Sequence, residues 1–316
     1  MLHRKDAFKL KSEHVIPWTR RVFVLASPRP AHGRAMGAMG ILGLALLLGP
    51  AARAQTILGS AGDYAVMAGS TVTINGTTTI TGNLGAANIA GSGPSSLIGT
   101  AVVPITAQNQ TDFTRAFNGL AAMTPTANLS TLTLGTSVGA TILTPGVYKF
   151  DDVAALSGTL TLNALGQSNA VWVFQIGTTF DVAASSNVVI TNAVGGSVAN
   201  YGLFWQIGAA ATVGVGATLE GNFLGGTTYT FGTGATISNG RALAGATGTI
   251  GLASNTIDFI AANSGYSGGL AFDGGGNVVA VPEPAATSVL IAGFMSLIVG
   301  VRRIQRHNKQ EIRSTE

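Results

Sequence analysis
The side chains best placed to do chemistry in this chain are threonines, serines and asparagines that recur in one register. Asp181-Val-Ala-Ala-Ser-Ser-Asn187-Val, Thr212-Val-Gly-Val-Gly-Ala-Thr218-Leu, Thr230-Phe-Gly-Thr-Gly-Ala-Thr236-Ile and Thr249-Ile-Gly-Leu-Ala-Ser-Asn255-Thr align without gaps. Their hydroxyls, methyls and amides hold or repel water; they do no covalent work. Elsewhere covalent chemistry finds little support. All four histidines (His3, His14, His32, His307) lie towards the two ends and there is no cysteine, so the middle lacks a nucleophile–base pair. No Gly-rich Asp repeat or His/Cys cluster offers metal ligands. The only adjacent acids, Asp151 and Asp152, read as a solvated strand entry. The sequence is therefore read as non-enzymatic, with no cofactor and no metal.

The elements that must carry these residues follow from the repeats. Gly221-Asn-Phe-Leu-Gly-Gly returns as Gly240-Arg-Ala-Leu-Ala-Gly, and Val173-Phe-Gln-Ile-Gly177 returns as Phe204-Trp-Gln-Ile-Gly208. Short-period self-similarity in β-branched residues punctuated by glycine predicts stacked coils, a mostly β solenoid. Ala65-Val-Met-Ala-Gly-Ser-Thr71-Val fits the same register, and Thr79-Ile-Thr-Gly-Asn-Leu-Gly85 resembles Thr218-Leu-Glu-Gly-Asn-Phe-Leu224, so an N-terminal coil belongs to the same solenoid. One helix is predicted between Ala107 and Met123. Phe113, Ala116, Phe117 and Leu120 make an apolar stripe, Thr106 caps the start and Thr124-Pro125 stops it. Such a stripe needs a partner, and the side of the solenoid supplies one.

In a strand, alternate side chains share a face. Val182, Val213, Phe231 and Ile250, with Val188, Leu219 and Ile237, take the interior parity. The other parity sets Thr212, Gly214, Gly216 and Thr218 beside Thr230, Gly232, Gly234 and Thr236. Thr249, Gly251, Ala253 and Asn255 flank one side of these, and Asp181, Ala183, Ser185 and Asn187 the other. With rungs about 4.8 Å apart and same-face neighbours roughly 6.5 to 7 Å apart along a strand, these small outward residues would form a two-dimensional array. A threonine methyl repels disordered water while its hydroxyl holds one molecule in place, and β-branching fixes its χ1. A solenoid corner at Gly232 or Gly234 would instead bring Thr233 outward. The plainer reading is that Thr and Asn are common on solvent faces and at turns.

Charge separates the middle from the ends. Of 17 basic residues, nine lie at or before Arg53 and five at or after Arg302. The stretch from Asp63 to Asp273 holds three basic and eight acidic residues, a net −5, which argues against nucleic-acid binding. Residues 1–54 read as a signal peptide with a long leader: a basic start, an apolar run from Ile41 to Leu48, and Ala52-Arg-Ala54, with cleavage after Ala54. Residues 55–262 read as the solenoid domain and 263–281 as a flexible Gly-rich linker. In 282–316, an apolar segment over 285–301 is just long enough to span a membrane, with a basic tail staying cytoplasmic.

Two resemblances add to this. Pro282-Glu283-Pro284 before a short span and an Arg cluster resembles the PEP-CTERM sorting signal of Gram-negative bacteria. It implies an exosortase as processing partner, removal of the tail, and delivery to the cell surface or the exopolysaccharide matrix. The middle resembles the microbial ice-binding protein family. The resemblance rests on Leu58-Gly-Ser-Ala-Gly-Asp-Tyr-Ala-Val, Thr79-Ile-Thr-Gly-Asn-Leu-Gly, Leu143-Thr-Pro-Gly-Val-Tyr, Ala170-Val-Trp-Val-Phe-Gln-Ile-Gly, Phe204-Trp-Gln-Ile-Gly, Gly232-Thr-Gly-Ala-Thr, Gly240-Arg-Ala-Leu-Ala and Ser254-Asn-Thr-Ile. It implies an irregular right-handed β-solenoid with one long α-helix packed alongside. The expected partner is an ice crystal surface, met through Ser185, Asn187, Thr212, Thr218, Thr230, Thr233, Thr236, Thr249 and Asn255. The family's Thr-Ala/Gly-x-Thr/Asn pattern is matched fully by Thr233-Gly-Ala-Thr236 and in part by Val215-Gly-Ala-Thr218, Ala184-Ser-Ser-Asn187 and Leu252-Ala-Ser-Asn255. The alternative is a surface or matrix protein using the same scaffold for adhesion or polysaccharide contact, for which Tyr201, Trp205 and Tyr229 would be the aromatics to watch. Trp172 and Trp205 read as core or helix-packing residues.

Overall fold
The structure, a computed structural model, describes residues 57–194, 201–259 and 267–281. Expectations for Ala54, for Pro282, Glu283 and Pro284, and for the segment 285–301 lie outside the described residues. Among those residues, no helix is long and apolar enough to cross a membrane.

Among the described residues, twenty-one strands pair in parallel as one continuous sheet that winds into a β-solenoid. Each coil runs through three faces. In one complete coil these are Gly146–Phe150, Ala154–Leu156 and Thr159–Asn163, and Val171–Ile176 then lies on Gly146–Phe150 to start the next. The repeats seen in the sequence are rungs of this ladder: Val173 pairs with Phe204, Asp181 with Thr212, Thr212 with Thr230, and Asn222 with Arg241. A Cβ at Gly240 would overlap the Gly221 carbonyl, so the rung between these two segments requires glycine there.

Spatial order departs from chain order at one place. The strand Tyr64–Asn75 stacks on Thr236–Ala244 and Thr249–Ala253, so the N-terminal coil sits on the last coil of the main ladder. Asn83–Gly91 then stacks on Tyr64–Asn75 and ends the pile with Ala101–Val102. The chain must return from there to Ala127–Asn128 at the other end, and helix α1, Ala107–Ala121, makes that return. At 1.5 Å per residue it covers about 22 Å.

Helix α1 lies along the first face, which we call the helix face. Phe113, Ala116 and Leu120 bury against Tyr64, Met67, Val147, Val173, Phe204, Leu224 and Leu243, with Phe117 at the margin. Thr106 caps it in a capping box, its hydroxyl accepting from the Asn109 amide at 3.2 Å and its own amide donating to Asn109 Oδ1 at 2.9 Å. At the other end Gln175 Nε2 donates to the Leu120 and Met123 carbonyls at 2.7 and 2.8 Å. The repeated Phe-Gln-Ile-Gly signature therefore places a buried glutamine under the helix C-terminus, satisfying carbonyls that end without intrahelical partners.

Inside the coils a second cluster fills the solenoid. Phe174, Trp205 and Phe223 stack through it with ring centroids 4.1 and 5.5 Å apart. Trp172 and Trp205 are fully buried, as their apolar surroundings in the sequence indicate.

Of the flexible linker expected over 263–281, residues 267–281 are described, and they are ordered as strands rather than as a free linker. Leu270–Phe272 and Val278–Ala280 pair as an antiparallel hairpin, and Leu270, Phe272 and Val278 pack on the helix-side core. Glycines here supply a tight turn, Asp273 to Asn277, between two short apolar strands, a role that composition alone does not reveal.

Candidate functional site
With the helix face covered, two faces stay open. On the first, open face I, a column of outward residues runs Thr133, Ala155, Asp181, Thr212, Thr230, Gly251, Thr73, Ala90 over successive strands. Beside it Thr228 pairs with Thr249, their hydroxyls 3.3 Å apart in a hydrogen bond, and Thr71 pairs with Asn88. On open face II the column runs Thr159, Asn187, Thr218, Thr236, Thr256, Thr79, Ser96. Between the columns the alternate residues point in: Val182, Val213 and Phe231 under face I, and Leu160, Val188, Leu219, Ile237, Ile257 and Ile80 under face II. These β-branched and aliphatic residues pack rung on rung, which holds the threonines above them at the strand spacing.

The two open faces meet at a corner made by backbone in the left-handed region. Ser185, Gly216, Gly234, Ser254 and Gly76 have φ of 58, 66, 73, 56 and 68°. Glycine takes this conformation freely, whereas a serine there carries a strain of about 1 to 2 kcal/mol. Amides at the corner bond to the next coil, as in Ser185 N to Val215 O at 2.9 Å and Gly216 N to Thr233 O at 3.1 Å.

That corner divides the residues singled out in the sequence. Thr212, Thr230 and Thr249 stand on face I. Asn187, Thr218 and Thr236 stand on face II, and Ser185 and Thr233 are exposed at the corner. The single array of both threonine sets is thus corrected to two arrays, because the left-handed residue breaks the two-residue period between Thr212 and Thr218 and between Thr230 and Thr236.

Asn255 is corrected too. It is fully buried. Its Nδ2 donates to the Gly232 and Ala235 carbonyls at 2.8 and 3.0 Å, and its Oδ1 accepts from the Ala253 amide. Pairings of Thr230 with Gly251 and of Thr236 with Thr256 show that this coil turns the corner with one residue fewer than the coil before it. Thr256 therefore takes the outward place, and Asn255 joins Ser186, Ala217, Ala235 and Thr78 inside the corner. On face II the outward residues that the sequence reading omitted, Thr159, Thr256, Thr79 and Ser96, had a signal in the local Thr-Leu, Thr-Ile and Ser-Leu pairs. A gap of one residue before Thr256 would have found it.

Electrostatics separates the faces. Face II carries Glu220 and Asp258 on either side of Ser238 in its second column. Face I carries Asp181 alone in its main column. At its edge Asp151 is held at about 2, well below the usual carboxylate value, by Lys149 at 2.7 Å and by the Asn128 and Ser130 side chains. Its neighbour Asp152 accepts from the Thr178 hydroxyl at 2.7 Å. Tyr201, Trp205 and Tyr229 are all buried, and none reaches an open face. Among the described residues no group of three or more His, Cys, Asp or Glu gathers as metal ligands.

Comparison with known proteins bears on these faces. The family model described as ice-binding-like matches residues 66–258. An ice-binding protein from Nostoc sp. (strain HG1) is 38% identical over 254 residues, covering 78% of this chain and 87% of that protein. One from Colwellia sp. is 30% identical, covering 64% of this chain and 82% of its own. The crystal structure of an ice-binding protein from the Antarctic ascomycete Antarctomyces psychrotrophicus superposes with a TM-score of 0.57 at 34% identity, covering 64% of this chain and 97% of that one. The matched segment runs from the first coil to the last strand of the main ladder, and on it the chain belongs to the ice-binding-like family.

Proposed function
We propose that this protein adsorbs to ice through open face I and so inhibits ice growth or recrystallisation. The observation that carries the reading is the face itself: threonine, glycine and alanine stand in straight columns over eight successive strands, with one carboxylate among them. Ice presents a fixed lattice of oxygens, and a binder must match it with rigid, weakly hydrated groups. Threonine does so because its χ1 is locked and its methyl sheds water while its hydroxyl keeps one. Ionised groups impose their own hydration, which places face II, with Glu220 and Asp258, second. The action is adsorption and involves no catalysis.

Export fits this reading. The signal-peptide pattern ending at Ala54 and the Pro282-Glu283-Pro284 signal, followed by an apolar run and a basic tail, support secretion, exosortase processing and delivery to the cell surface or the exopolysaccharide matrix. Adhesion to polysaccharide on the same scaffold is the weaker reading, because Tyr201, Trp205 and Tyr229, the aromatics that would stack on sugars, are all in the interior.

The test is direct. Purified protein should slow recrystallisation of a polycrystalline ice wafer and open a gap between melting and freezing, relative to an unrelated protein at equal concentration. Wild-type protein that leaves both unchanged would overturn the reading.

A further inference from the structure
We infer that residues 267–281 form a clasp that fixes where the C-terminal tail leaves the solenoid, across the body from open face I, so that a molecule held by its tail presents that face outward. The inference of a clasp stands on geometry alone; its use in presenting a face rests on the ice-adsorption reading.

Three sets of contacts hold the clasp. The hairpin buries Leu270 at 2% exposure and packs Phe272 and Val278 against the helix-side core. The Arg115 guanidinium lies 3.8 Å over the Phe272 ring, a cation–π contact. Gly119 of α1 leaves the space that the hairpin occupies, since a Cβ there would run into Val278 and Phe272. The two ends of the segment are then pinned to one corner. Gly268 N donates to the Tyr201 carbonyl at 2.8 Å, and Asn169 Nδ2 donates to the Val281 carbonyl at 2.7 Å.

That corner has a definite place. Asn169 lies on the connection from Thr159–Asn163, on face II, to Val171–Ile176, on the helix face. Tyr201 directly precedes Gly202–Ile207 on the same helix face. Because each coil passes from the helix face to face I to face II and back, this connection is the one corner that face I does not touch. Another 35 residues follow Val281 in the sequence, and the described chain meets them at this corner. A flexible linker would let the solenoid lie on either open face, whereas the pinned exit directs face I away from the point of attachment.

The chain has no cysteine, so introduced cysteines report cleanly. In the full chain, spin labels at Val281→Cys and Gln167→Cys should give one short, narrow distance distribution, and labels at Val281→Cys and Thr230→Cys one longer, equally narrow one. Adding Arg115→Ala and Phe272→Ala should broaden both while the β-sheet circular dichroism stays that of wild type. Broad distributions in the unmodified background would overturn the clasp. In a second arm, Val281→Cys and Thr230→Cys proteins are attached through the new thiol to a flat support and exposed to ice. Ice should adhere to the first support and not to the second. Failure of the first support, with the free protein active on ice, would overturn the presentation of face I. A free protein inactive on ice would remove the adsorption reading and the presentation with it, and the distances would still decide the clasp.

Discussion

Asn255 spends its whole side chain on one corner. Its amide group bonds two carbonyls and its oxygen one amide, all in the interior. Replacing it by alanine removes three hydrogen bonds at once, although the Gly232 and Ala235 carbonyls keep the Ala235 and Thr256 amides, at roughly 0.5 to 1.5 kcal/mol for each bond lost. Asn255→Ala should therefore lower unfolding stability by about 2 kcal/mol or more, read as a lower denaturant midpoint at unchanged slope. Thr236→Ala, on the surface, should stay within about 0.5 kcal/mol of wild type. At this scale the sequence was legible wherever the corner between the two open faces keeps the same length. Thr212, Thr230, Thr218 and Asn187 all stand outward as parity requires, and Val213 and Phe231 inward. It failed at Asn255 because the gapless alignment sets Thr249 beside Thr230, whereas the ladder sets Thr249 beside Thr228 and Gly251 beside Thr230 before a corner shorter by one residue. Nothing in the residue type separates a buried asparagine that bonds backbone from an exposed one that bonds water.

At the scale of elements, helix α1 is the part most plainly written in the sequence. Its apolar stripe, its threonine cap and its proline stop are local signals, and each appears where expected. Its tethers are not local. Ser60 donates its amide and hydroxyl to Asp112 Oδ2 at 2.8 and 2.7 Å, joining the helix to the turn Gly59–Asp63 across more than fifty residues of chain. Burial alone would raise the Asp112 pKa. The Ser60 bonds, with Gln108 and Arg115, outweigh it and leave the carboxyl below its ordinary value. A depressed folded pKa makes the contribution full above the unfolded value, about 3.9, and removes it as pH falls through the folded one. Acid titration of stability should thus show a drop below about pH 4 that is smaller in Asp112→Asn, with the two curves converging at the lowest pH. A variant with the same acid slope as wild type would remove Asp112 from the account. The hairpin over 267–281 was illegible for a different reason: its strands are three residues long, and their apolar side chains acquire meaning only once α1 offers a surface.

For the whole molecule, the solenoid was visible in the repeats, and the likeness of Thr79-Ile-Thr-Gly-Asn-Leu to Thr218-Leu-Glu-Gly-Asn-Phe revealed that the N-terminal coil belongs to it. That this coil stacks on the far end of the ladder, and that α1 is the return across the gap, depends on long-range pairing between Tyr64–Asn75 and Thr249–Ala253. Sequence order alone does not contain it. The division into two open faces was legible only as the alternative of a corner at Gly232 or Gly234 that brings Thr233 outward: one left-handed residue per coil, Gly234 in that one, redirects the strand without altering the sequence repeat. Among the described residues, one face of the solenoid is covered by a helix and the two open faces differ in charge. The proposed ice-adsorbing face is the one with fewer carboxylates.

The most direct measurement compares thermal hysteresis of two double variants, Thr212→Tyr/Thr230→Tyr on face I and Thr218→Tyr/Thr236→Tyr on face II, each keeping the wild-type β-sheet circular dichroism. Tyrosine projects beyond neighbouring threonines and lifts a flat face off a flat crystal, while these outward positions, exposed at Thr212, Thr218 and Thr230 and half-buried at Thr236, let the fold persist. The face I pair should lose nearly all activity and the face II pair should keep most of it. Loss in the face II pair with activity retained in the face I pair would contradict adsorption through face I.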